Sequence, residues 1–142
     1  QKAVDQIPDV YFACAGKGEQ NPSSEKCLWA KPVNNDELPY FYSALDAFVL
    51  PTQNEGCCNA IVEAIACGCP IISSDRAFNA DICDHTNSLL VDPDNVDEIR
   101  NAILRVKEDS NLRQSLGEGS LRKSKELTLN ARARRILTFM NL

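Results

Sequence analysis

Short apolar runs alternate with stretches of helical spacing as far as Val91, and helical spacing alone continues after it. The runs 10–15, 27–30, 47–50, 71–74 and 88–91 have the length and the apolar bias of strands buried between helices. Between them the period changes. Lys2 to Gln6 reads as a helix end, and Pro8-Asp9 as a turn. Leu38, Phe41 and Leu45 share a face in a helix running from Asn35 to about Leu45. Ile61, Val62, Ile65 and Ala66 form the stripe of a helix over 59–67, which Gly68 and Pro70 end. Ala80 to Asp84 reads as one helical turn. Asn95-Val96-Asp97-Glu98 has the form of an N-cap with an acid at the third position. Val96, Ile99, Ala102, Ile103 and Val106 then keep one face, followed by Leu112, Leu116 and Leu121 in a helix over 110–126. A last helix begins at Thr128, with Leu129, Ala133, Ile136, Leu137 and Met140 on one side and Arg132, Arg134 and Arg135 on a solvated other side. Strand, helix, strand in repetition predicts an α/β fold. The expected form is a Rossmann-like open parallel sheet of about five strands, with helices on both faces and further helices at the C-terminus.

A length of 142 residues, 44% hydrophobic and 25% charged, suits one domain over 1–142 with a single core. The net charge of −5 and the lack of a basic run argue against a nucleic-acid partner. No apolar stretch reaches the ~18 residues of a membrane span, so no transmembrane segment is expected. No leader peptide is visible, and the start at Gln1 suggests a piece of a longer chain. The seven cysteines are an odd number, read as reduced, mostly small buried groups of a cytoplasmic protein. Cys57-Cys58 and Cys67-x-Cys69 would need further ligands to hold a metal, and His85 is the one histidine, so no metal site is expected.

The chemistry concentrates in Pro51 to Pro70. A loop there opens a helix whose first amides have no internal partner and carry partial positive charge. Gly56 lets the chain approach a ligand, and backbone amides suffice to hold an anion. Glu55 precedes the helix. Glu63 lies inside it, roughly 6 Å along the axis from Asn59 at ~1.5 Å per residue. A carboxylate on each side of an anion seat suits a ligand with hydroxyls on both sides of a phosphate, such as a nucleotide sugar. An acid on a ribose diol has precedent in dinucleotide sites. Taken alone, both glutamates also read as solvated acids, and Asn59 and Ala60 as a plain helix start.

Glu55, seven residues, Glu63 and then Ala64-Ile65-Ala66-Cys67-Gly68-Cys69-Pro70 resemble the E-x7-E signature and the E-A-x-A-C-G-x-P run of GT-B glycosyltransferases of the group 1 family. Further blocks follow the family's order. Val10 to Gly18 resembles its second C-domain strand and G-x-G turn, Asp46 to Pro51 its "aD-x-hydrophobic-P" strand, and Asn87 to Pro93 its "nG-LLV-x-P" strand, with Ser88 where glycine is usual.

The resemblance implies the donor-binding C-terminal half of a GT-B enzyme. Such an enzyme moves a sugar from a nucleoside-diphosphate sugar to an acceptor hydroxyl, in glycan or polysaccharide synthesis, with retention and without a metal or other cofactor. It implies that the amides of Asn59 and Ala60 hold the diphosphate, with Gly56 and Cys57 in the same loop. Glu63 takes the ribose, and Glu55, the catalytic residue, takes a hydroxyl of the transferred sugar. Gly16 and the loop of Lys31 and Val33 border the nucleotide, with Lys31 standing where a small residue is common. The family's first C-domain strand, its Arg…Lys pair and its acceptor-binding N-terminal domain would precede residue 1, so this chain alone is expected to be inactive. Nothing in the chain replaces that pair, and Lys17 and Arg76 are candidates by loop position only. The rivals are a nucleotide-sugar-binding or regulatory module without catalysis, a GT-B-type nucleotide-sugar 2-epimerase, and an unrelated structural α/β domain.

Overall fold

The computed structural model describes residues 1–16, 22–54 and 58–140, with the backbone alone at 29 and 30. The elements run α1 (Lys2–Asp5), β1 (Phe12–Ala15), β2 (Cys27–Lys31), α2 (Leu38–Ser43), β3 (Phe48–Leu50), α3 (Asn59–Ala66) and β4 (Ile71–Ser74). A 3-10 turn (Ala77–Asn79), β5 (Ser88–Val91), α4 (Val96–Glu108), α5 (Ser110–Ser124) and α6 (Leu129–Phe139) complete them.

The fold is α/β with all strand pairs parallel, and the expected five strands fall into two sheets. β1 pairs with β2, and β3-β4-β5 form a second sheet in that order. β4 is its centre, and all four of its residues are buried. Ile71 and Ile72 point to opposite faces, as successive strand residues must. Ile71 joins Tyr42, Cys58, Ile61, Ala64, Ile65, Cys69, Ile82 and Cys83 under α2 and α3. Ile72 joins Ala3, Ile7, Val91, Ala102, Ile103, Val106 and Leu116 under α1, α4 and α5. Each fully buried isoleucine contributes about 1.5–3 kcal/mol of transfer free energy. The two clusters hold helices on both faces of the three-stranded sheet.

Side chains secure the ends. Asn95 Oδ1 accepts from the amides of Asp97 and Glu98, and Glu98 Oε1 accepts in return from Asn95 Nδ2 at 3.0 Å. Lys26 Nζ donates to the carbonyls of Val4 and Ile7 at the end of α1, where a cation meets the negative helix terminus. Gly68 takes the left-handed φ of +75° expected of the residue after α3.

Three expectations are corrected. The strand over 10–15 is buried only in part: it begins at Phe12, and Cys14 and Ala15 are exposed, because among the described residues β2 alone pairs with β1. In α3 the buried positions are Ile61, Ala64 and Ile65, whereas Ala66 is exposed. The stripe is turned toward α5, where a β-carbon on Gly68 would meet Leu121 at 3.1 Å. The face of α6 carrying Leu129, Ile136, Leu137 and Met140 is uncovered, and no residue of that helix is buried.

Candidate functional site

The site is built on the segment from β3 to α3. Hydrogen bonds from the next strand fix the start of that loop. Ser73 Oγ donates to the Leu50 carbonyl at 2.9 Å, and Ser74 Oγ donates to the Thr52 carbonyl. Asn79, fully buried, donates from Nδ2 to Ser73 Oγ and the Ser74 carbonyl, which holds those serines in place. Gln53 Nε2 donates to Asp94 Oδ1 and ties the loop to the end of β5.

α3 starts without a side-chain cap. Cys58 occupies the cap position with extended backbone, and its carbonyl accepts from the amides of Ile61 and Val62 at 3.1 and 3.2 Å. The amides of Asn59 and Ala60 find no acceptor among the described residues. No acidic side chain stands in the first turn to occupy that positive end. Glu55, Gly56 and Cys57, expected in this loop, lie outside the described residues.

One turn further along, Glu63 turns toward α2. Its Oε2 accepts from the hydroxyl of Tyr42 at 2.9 Å. Tyr42 is only 5% exposed, its ring edge-on to Phe41 and Phe48 at 6.1 and 5.7 Å between centroids. Burial first, and then the bond to Glu63, hold its phenol well above the ordinary pKa, so the hydroxyl stays a donor. A pocket of about 370 Å³ opens here, lined by Asn35, Leu38, Pro39, Tyr42, Glu63, Ala66 and Cys67.

The other expected residues divide. Gly16 and Lys31 come together at the carboxyl ends of β1 and β2, where the Gly16 amide donates to the Lys31 carbonyl at 3.4 Å. Half-buried Val33 follows two residues on and, like Lys31, is outside the lining of the Glu63 pocket. The loop after β4 is not part of the lining of the Glu63 pocket. Arg76 is drawn the other way, to Asp92 at 3.1 Å and Asp94 at 3.9 Å. Arg76, a diphosphate candidate by loop position only, holds that exposed ion pair, and Lys17 lies outside the described residues. Tyr42 was missed, because a Tyr in an apolar helical stripe reads as core. The signal that could have found it is the hydroxyl, since a buried Tyr O–H needs a partner.

Among the described residues, Cys14, Cys27, Cys58, Cys67, Cys69 and Cys83 are not joined in disulfides. Among the described residues no three His, Cys, Asp or Glu side chains converge as metal ligands, and no helix is long and apolar enough to cross a membrane.

The chain matches a known family. A profile of the family "Glycosyl transferases group 1" matches residues 4–123. The O-antigen chain mannosyltransferase B of Escherichia coli is 31% identical over 96 residues, which are 68% of this chain and 25% of the mannosyltransferase. Among solved structures, the sucrose-phosphate synthase of Thermosynechococcus elongatus superposes with a TM-score of 0.79 at 21% identity, over 99% of this chain and 40% of that one. The C-terminal domain of a glycosyl transferase group 1 family protein from Francisella tularensis superposes with a TM-score of 0.64 at 25% identity, over 72% of this chain and 53% of that domain's chain. The chain thus spans between a quarter and about half of the length of these relatives. Its two parallel sheets, its helices and its family match agree, and the chain belongs to the group 1 glycosyltransferases, with a fold of the GT-B kind.

Proposed function

We propose that this chain is the donor-binding domain of a retaining glycosyltransferase, which moves a sugar from a nucleoside-diphosphate sugar to an acceptor hydroxyl in glycan or polysaccharide synthesis. One observation carries the reading. α3 presents two amides with no acceptor among the described residues at its start and, one turn on, a carboxylate anchored beside an open pocket. The spacing, roughly 6 Å by helix rise, suits a diphosphate over the helix start and a ribose diol at Glu63.

In this reading the amides of Asn59 and Ala60 face the diphosphate, and the nucleoside extends toward α2. Gly16, Lys31 and Val33 stand at the base side. Glu55 takes a hydroxyl of the sugar whose anomeric carbon gains positive charge as the diphosphate leaves. The barrier falls because donors already aimed at the departing oxygens need no reorganisation, an effect typically worth 10²–10³ in kcat per donor. The donor is a substrate, and the family resemblance assigns no part to a metal.

The acceptor side belongs to a further domain of the same enzyme. Support for further chain beside this one comes from the exposed residues of β1, from Leu28, 69% exposed on β2, and from the uncovered apolar face of α6. Kinetics of the longer enzyme test the division of roles. Glu63→Gln should raise KM with kcat nearly unchanged, because the ribose is held alike in ground and transition states. Glu55→Gln should lower kcat. Each effect should be roughly ten- to hundredfold, the loss of one charged hydrogen bond. Wild-type kinetics in both variants would reject the assignment.

A further inference from the structure

We propose that Tyr42 positions Glu63 for the ribose of the donor, so that the pair sets a preference for ribonucleotides over 2′-deoxynucleotides. The proposal rests on the reading of Glu63 as the ribose acceptor and adds to it a residue outside the E-x7-E motif.

The two partners differ in freedom. Tyr42 belongs to the core, with its ring between Phe41 and Phe48 and its backbone carbonyl accepting from Cys69 Sγ at 3.1 Å. Its hydroxyl is therefore a fixed point. Glu63 is on the exposed side of α3, and a glutamate there would otherwise sample several rotamers. The 2.9 Å bond from Tyr42 engages Oε2 and leaves Oε1 with no partner among the described residues. That arrangement anchors one oxygen and holds the other ready to accept from a ribose hydroxyl. Packing alone does not require it, since phenylalanine would fill the same space in the Phe41–Phe48 cluster.

Titration of the longer enzyme with UDP, GDP and ADP, each beside its 2′-deoxy counterpart, tests this in wild type, Tyr42→Phe, Glu63→Ala and the double variant. Tyr42→Phe should weaken the best-bound ribonucleotide by about three- to tenfold, the range for one lost hydrogen bond. It should leave the 2′-deoxynucleotide nearly unchanged and add nothing in the Glu63→Ala background. Equal losses for both sugars would mark Tyr42 as merely structural and overturn the proposal, as would wild-type binding by Tyr42→Phe. If Glu63→Ala weakens the ribonucleotide and Tyr42→Phe does not, only the proposal falls. If no nucleotide binds wild type, or Glu63→Ala binds equally well, the donor-site reading fails and the proposal with it. Should Tyr42→Phe fold too poorly to titrate, Glu63→Asp asks the question from the exposed side. Its shorter carboxylate cannot keep the Tyr42 bond and should lose the ribose preference, and a retained preference overturns the proposal.

Discussion

A β-carbon on Gly119 would stand 1.8 Å from the carbonyl oxygen of Thr86. α5 therefore lies directly against the turn that leads into β5. Beside it, Ser120 Oγ donates to the Cys69 carbonyl at 2.6 Å, and a β-carbon on Gly117 would meet the Gly68 carbonyl at 2.8 Å. Small residues on this face let α5 close over the end of α3 and so hold the helix that carries Glu63.

Gly119→Ala should accordingly destabilise the chain. The obstacle is backbone, so relief requires α5 to move, and the cost should lie at or above the upper end of the usual ~1–3 kcal/mol for overpacking. A thermal melt should show a fall in Tm of about 10 °C. An unchanged Tm would mean that α5 does not dock as described.

The cysteines should divide by burial. Burial pushes the Cys69 thiol up to about 11 and the Cys83 thiol up to about 12. Both are then protonated at neutral pH and shielded from reagents, and raising the pH to 8 gives neither an appreciable thiolate fraction. Cys14 is exposed on β1, although burial of part of its side chain raises its pKa as well. Mass spectrometry after brief alkylation of the native chain should find Cys14 modified, with Cys69 and Cys83 labelled only after unfolding. Without reductant, the intact mass should correspond to free thiols. Early labelling of Cys83, or a disulfide, would contradict this.

The residues that could be read in advance are those whose pattern has a local cause. Asn95 and Glu98 cap α4 because a cap is settled within four residues. Gly68 stops α3 for the same kind of reason. Ile71 and Ile72 could be placed in a strand covered on both sides because a short apolar run admits little else. What failed depended on distant chain. Ala66 and Ala64 are indistinguishable by composition, and the docking of α5 decides which is buried. The exposure of Cys14 goes with a strand that, among the described residues, pairs with β2 alone, and its own residues carry no signal of that. Arg76 was a candidate by loop position only, and its pairing with Asp92 and Asp94, sixteen and eighteen residues on, has no local signal. The Tyr42–Glu63 bond joins two helices and could be found only in three dimensions.

The central claim is that α3 holds the nucleotide part of a sugar donor, with Glu63 on the ribose. Calorimetric titration of a nucleoside diphosphate that lacks the sugar tests it most directly, in the longer enzyme, unsubstituted and as Glu63→Gln and Glu55→Gln. The account predicts near-normal binding by Glu55→Gln, since its partner is absent, and roughly ten- to hundredfold weaker binding by Glu63→Gln. Wild-type affinity in both variants would contradict it.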